Sequence, residues 1–140
     1  MVSLTADSLC MQIRLFISGR NLRNLDVFSK SDPKCAVYEL VNKDWKLVGK
    51  TETINNNLNP DFATSIQLGY YFEKLQKLKF VMMDSDEHTD DDLIGEFETT
   101  VAAIMERSTK PLDGQLKFKN HEKGRGTIVI RSEAVAESNT

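Results

Sequence analysis

The sequence predicts an all-β fold, a two-layer sandwich of eight short antiparallel strands. Three observations predict it. Apolar residues recur at every second position in short runs, the runs are spaced roughly ten residues apart, and turn-forming residues separate them.

Met11, Ile13, Leu15 and Ile17 alternate with Gln12, Arg14 and Ser18, the period-2 pattern of a half-buried first strand. Cys35 to Val41 reads as the second strand and Trp45 to Thr53 as the third. Asn42-Lys43-Asp44 supplies hairpin chemistry between them. Phe62, Thr64, Ile66 and Leu68 mark a fourth strand. The segment Tyr70 to Lys77 is ambiguous. Leu78, Phe80 and Met82 mark a fifth strand, with Lys77 and Lys79 on its opposite face. Leu93 to Thr100 is the sixth, Leu116 and Phe118 mark the seventh, and Thr127 to Arg131 is the eighth, after a turn at Gly124-Arg125-Gly126. Only Thr100 to Glu106 reads as a short helix, with Thr100 as its N-cap.

A chain of 140 residues, 40% apolar and 28% charged, fits one domain, expected over residues 9–135 with flexible termini at 1–8 and 136–140. The longest apolar runs, such as Val101 to Met105, fall far short of the ~20 residues of a membrane span. Met1 to Cys10 lacks the basic-then-apolar pattern of a secretory leader. Cys10 and Cys35 make no disulfide framework and are expected as reduced thiols in a cytoplasmic protein. A net charge of −3 argues against a general nucleic-acid binder.

The distribution of charge says more than the total. Six of the nine residues from Asp84 to Asp92 are acidic. They fall between strands five and six, while Asp26 and Asp32 fall in the loop between strands one and two. Carboxylates packed this tightly repel one another unless they stay solvated or hold a cation. Ca2+ suits them, because it takes 6–8 oxygen ligands in flexible geometry. Asp84 and Asp86, two apart on an extended segment, share a side and could straddle one ion. The helix–loop–helix calcium motif does not fit: counted from Asp84, the sixth position is Thr89 rather than Gly and the twelfth is Gly95 rather than Glu. No base–nucleophile set accompanies the acidic residues, so an enzyme is not expected.

These residues carry a family likeness. Leu22, Leu25-Asp26 and Ser31-Asp32-Pro33, then Asn57-Leu58-Asn59-Pro60 and Phe62, then Asp84-Ser85-Asp86 and Asp91-Asp92-Leu93-Ile94-Gly95 resemble, in order and spacing, the C2 domain, a calcium-dependent phospholipid-binding module. The likeness runs from about Leu9 to Glu133. The segment Tyr70 to Phe80 is similar to the corresponding part of copines. The resemblance implies an eight-stranded antiparallel Greek-key β-sandwich, the C2 fold, in its type II strand order, with both termini away from the calcium loops. It implies Ca2+ as cofactor, with side-chain ligands Asp26, Asp32, Asp84, Asp86 and Asp92 and supporting backbone carbonyls of Leu25, Ser85 and Asp90. Asp91 is expected to face outward, a one-residue shift between Asp91 and Asp92 staying open.

The function that follows is calcium-dependent binding to anionic phospholipid membranes, with reversible recruitment from the cytoplasm and a monomeric isolated domain. Val27, Phe28 and Lys30 of the first loop are candidates for membrane contact. Lys46 and Lys50, taken as sharing a strand face at i and i+4, are weak headgroup candidates. His88 reads as a solvated loop residue. The alternative is a protein–protein interaction module whose loops are ordered by calcium.

Overall fold

In a computed structural model, which describes residues 10–26, 28–86, 90–107, 110–119 and 124–136, the chain forms two four-stranded antiparallel sheets. Strands β1 (Cys10–Arg20), β4 (Ile66–Tyr71), β7 (Leu112–Gln115) and β8 (Thr127–Ala134) make one sheet in the order β4-β1-β8-β7. Strands β2 (Pro33–Val41), β3 (Asp44–Lys50), β5 (Lys77–Asp84) and β6 (Asp92–Thr100) make the other in the order β3-β2-β5-β6. The last strand lies between the first and the seventh, as the type II order requires. The expected termini, 1–8 and most of 136–140, lie outside the described residues, as do Val27 and His88.

Alternation builds the core. Ile13, Leu15 and Ile17 of β1, with Ile128 and Ile130 of the neighbouring β8, pack in one buried cluster with Val37 of β2 and Leu78, Phe80 and Met82 of β5 from the other sheet. Asn42 and Lys43 both take positive φ, 51° and 71°, which gives the two-residue turn that right-handed strand twist favours between Val41 and Asp44. Thr100 caps α1 (Val101–Met105), its side chain accepting from the Ala103 amide, and the helix buries Val101 and Ile104. No helix among the described residues is long and apolar enough to cross a membrane.

Three elements depart from expectation. The seventh strand is Leu112–Gln115, not a strand around Leu116 and Phe118. Leu112, Gly114 and Leu116 share one parity. Gly114 breaks the apolar signal, yet a Cβ there would meet the Phe97 ring at 2.3 Å, so the ring takes the place of a side chain. Beyond Gln115 the chain crosses to the other sheet, where Lys117 exchanges two backbone hydrogen bonds of 2.8 Å with Glu96. The fourth ladder begins at Ile66 rather than Phe62, because the amides of Ala63 and Thr64 donate to the Glu52 carboxylate at 2.7 and 3.1 Å instead of to a neighbouring strand. The third strand stops at Lys50, because Thr51 turns inward, its hydroxyl accepting from the Cys35 amide at 2.8 Å.

Register fixes which end carries the acidic residues. Cys10 pairs with Tyr71 and Ile13 with Ala134, so both described ends of the chain emerge at one pole. Pro33 pairs with Asp84, and Asp84 with Asp92, at the other.

Candidate metal centre

Three loops, in their described residues, meet at the acidic pole: 21–32 after β1, 51–65 after β3, and 85–91 after β5. The first is knotted by Ser31, which is fully buried. Its hydroxyl accepts from the Leu25 amide at 2.8 Å and donates to the Arg23 carbonyl at 3.3 Å. The Asn-rich loop is fastened to the end of β1. The Gly19 amide donates to the Pro60 carbonyl, the Leu22 amide to the Leu58 carbonyl, and the Asn21 amide to Asn59 Oδ1, each at 2.9 Å. Gly126, at φ 109°, passes so close to Leu22 that a Cβ would lie 2.8 Å from its Cα. Glycine is therefore required to seat the first loop.

Asp84 is the last inward-facing residue of β5, in the same parity as Leu78, Phe80 and Met82, and only 2% exposed. Its Oδ1 accepts from the Asp32 amide at 2.8 Å. Asp32 Oδ1 in turn accepts from the Asn56 amide at 2.7 Å, and the Asp32 carbonyl accepts from the Ser85 amide at 2.9 Å. This chain of bonds draws all three loops together. Carboxylate oxygens of Asp26, Asp32 and Asp84 lie within 4.8 Å of one another. Burial pushes the Asp84 carboxyl up from its ordinary value, and the neighbouring Asp26 carboxylate adds to the rise, against the opposing hydrogen bond from the Asp32 amide.

The remaining expected ligands fall in two groups. Asp86 and Asp92 line an open cleft of about 720 Å³ together with Asp26, Asp32, Leu25 and Ser85, but stand outside the tight trio. Asp86 is exposed where Asp84 is buried, so the two flank the site at different depths rather than as equals on one side. Asp90 is exposed and is not part of the cleft lining. Asp91 is tied to Lys34 instead, Oδ2 to Nζ at 2.6 Å, and this cation holds its carboxyl below the ordinary value.

Two features of the acidic pole escaped the sequence reading. Asn55 and Asn56 line the cleft, Asn56 at a positive φ of 52°. The run Asn55-Asn56-Asn57 was the available signal, since asparagine tolerates that conformation and brings amide oxygens. Lys34, adjacent to Pro33, had no pattern to mark it. Of the first-loop candidates for membrane contact, Phe28 is 100% exposed on the cleft rim and Lys30 is exposed; Val27 lies outside the described residues.

The lysine pair needs correction. Lys50 pairs with Ala36, but the register shifts between Val37 and Tyr38, so that Leu47 faces Tyr38 and Lys46 faces Glu39. Cross-strand partners share a face, and Ala36 and Glu39 lie on opposite ones. The bulge around Val48 therefore puts Lys46 and Lys50 on opposite faces of the sheet.

The donor set fits a hard cation. It is all oxygen, three carboxylates converge with one of them buried, and the described cysteines are distant in sequence from every loop of the site or buried in β2.

Comparison with known proteins agrees with this geometry. The C2 domain family profile matches residues 13–117. The chain is 38% identical over 138 residues to Copine-E of Dictyostelium discoideum, covering 94% of this chain and 24% of that protein. It thus spans about a quarter of the length of the curated relatives it matches. Among solved structures it is similar to a C2 domain of plant extended synaptotagmin 1, with a TM-score of 0.67 and 17% identity over 91% of this chain and 97% of that one. It is also similar to the calcium-bound pair of C2 domains of extended synaptotagmin 2, with a TM-score of 0.65 and 21% identity over 89% of this chain and 45% of that one. With strand order, loop geometry and family match in agreement, the chain belongs to the C2 domain family, with copines among its relatives.

Proposed function

We propose that this domain binds Ca2+ through its acidic loops and, in that state, docks on anionic phospholipid membranes as a targeting module. The observation that carries the reading is the convergence of Asp26, Asp32 and Asp84 within 4.8 Å, with Asp84 buried. Asp26, Asp32 and Asp84 would hold the cation at the base of the cleft, and Asp86, Asp92 and the backbone carbonyls of Leu25 and Ser85 would serve from its walls. Asp90, also expected as a backbone ligand, is proposed only for the rim.

The chemistry a bound divalent ion supplies is charge reversal and open coordination positions for phosphate or carboxylate oxygens of a headgroup. The chain's own residues do the rest. Without a cation, the clustered carboxylates make the loop end negative and repel an anionic surface. Phe28, wholly exposed on the rim, provides apolar area to bury at the interface, and Lys30 beside it favours anionic lipid. Full burial of a Phe is worth roughly 1.5–3 kcal/mol, so shallow insertion gives less.

Calorimetric titration with CaCl2, followed by sedimentation with phosphatidylserine vesicles in calcium or EGTA, tests the reading. Calcium binding that Asp84→Asn removes, together with calcium-dependent pelleting, supports it. Calcium binding without pelleting replaces the membrane with a protein partner. Absence of calcium binding ends the reading.

A further inference from the structure

The second acidic loop has a fastening that the ligand set does not explain. Lys34 is the second residue of β2, next to Pro33, and pairs in register with Met83, the neighbour of Asp84. Its ammonium reaches Asp91 Oδ2 at 2.6 Å, with side-chain exposures of only 21% and 28%. Two other ion pairs, Arg20–Asp61 and Arg131–Glu133, are each more exposed on both sides. The second oxygen of Asp91, Oδ1, accepts from the Asp86 amide at 3.2 Å. One carboxylate therefore joins the outgoing arm of the loop at Asp86 to the returning arm at Asp91, and moors both to β2.

We propose that Lys34 and Asp91 are positioning residues, a clasp that presets the two arms of the second loop at Asp86 and at Asp91–Asp92 before a cation enters. The inference rests on the calcium reading above. Calcium affinity depends on site rigidity as well as ligand charge. Arms joined during folding do not have to be brought together again on binding, so their ligands engage with less loss of entropy. The clasp also withdraws Asp91 from the crowd of carboxylates. Acidic residues crowded near one ion repel one another, and this one is neutralised away from it.

The sign of one substitution separates the clasp from simple electrostatics. Lys34→Met removes a positive charge close to a cation site, so the field alone would tighten Ca2+ binding. Loss of the clasp would weaken it instead. We expect Lys34→Met to weaken Ca2+ binding about fivefold in calorimetric titration of the 140-residue chain, and Lys34→Arg to retain wild-type affinity. In an Asp91→Ala background, where the clasp is already lost, Lys34→Met should no longer weaken binding and should tighten it slightly. A second readout needs no calcium. In EGTA the Asp86 amide should exchange its hydrogen about fivefold faster in Lys34→Met than in the wild type, because its acceptor is no longer held. Unchanged or tighter Ca2+ binding in the single variant overturns the clasp while the wild-type titration upholds the calcium reading. If the wild type binds no Ca2+, that reading falls, and unchanged Asp86 exchange would then refute the clasp by itself.

Discussion

The two poles of the sandwich each bury a polar side chain, and they do it in opposite ways. At the pole where the described ends of the chain emerge, Gln76 is 5% exposed. Its Oε1 accepts from the Tyr71 amide at 2.9 Å and its Nε2 donates to the Gly69 carbonyl at 2.8 Å, while its own carbonyl accepts from the Val101 amide at 3.0 Å. A neutral amide with both ends matched closes that pole. At the other pole Asp84 is as deeply buried, yet its negative charge faces Asp26 and Asp32 rather than a cation. Buried polar groups stabilise a fold when every member is satisfied, and buried charge is costly when it is not paired. The chain itself finishes the first pole; on the proposed reading, a divalent ion finishes the second.

The sharpest way to break that contrast is Gln76→Ala. It leaves the Tyr71 amide and Gly69 carbonyl without their partner and should destabilise the domain by about 3 kcal/mol in urea unfolding. The calcium-induced rise in Tm should be unchanged; a lost calcium response would mean that the poles are coupled. Next in size is the effect of calcium. At a concentration a hundred times Kd, Ca2+ should stabilise the wild type by about 2.7 kcal/mol, and Asp84→Asn should abolish that gain. In EGTA the same variant should be at least as stable as the wild type, because Asn keeps an acceptor for the Asp32 amide and removes a repelled charge. A less stable variant in EGTA would show that the charge is not the cost.

Within the acidic pole, acid should act on two carboxylates with opposite sign. The raised Asp84 carboxyl holds its proton more tightly in the folded than in the unfolded state, so its contribution disfavours the metal-free fold as pH rises from the unfolded value through the raised folded one. Glu52 has the opposite sign. Burial would push its carboxyl up, but the Ala63 and Thr64 amides bring it below the ordinary value. Its stabilisation is complete above the unfolded value and is lost as pH falls through the folded one. Glu52→Ala should therefore cost about 1 kcal/mol at pH 7 and progressively less below pH ~4, as read by unfolding at a series of pH values. The smallest expected effect is at the rim. Phe28→Ala should weaken vesicle binding by about threefold at fixed calcium, roughly 0.7 kcal/mol, while leaving calcium affinity in solution unchanged.

Much of the fold was legible because strands with one buried face write their orientation into every second residue. The runs at Met11–Ile17 and Leu78–Met82 are of this kind, and both stand as strands in the structure. The ladder that starts at Ile66, and not at Phe62, was not legible, since it depends on Glu52 capturing the amides of Ala63 and Thr64 from the far end of its own loop. Nor was β7, where Gly114 carries no side chain and borrows the Phe97 ring.

The same division runs through the acidic pole. The sequence by itself determined that carboxylates accumulate in two loops, and strand parity alone determined that Asp84 ends β5 on its inward face. Only the tertiary structure decided that Asn55 and Asn56 join the cleft, that Asp91 leaves it for Lys34, and that a one-residue bulge parts Lys46 from Lys50. The physical reason is range. Alternation and turn chemistry act between neighbours in the chain, whereas loop mooring and register are settled by partners tens of residues away, whose pairing leaves no local trace.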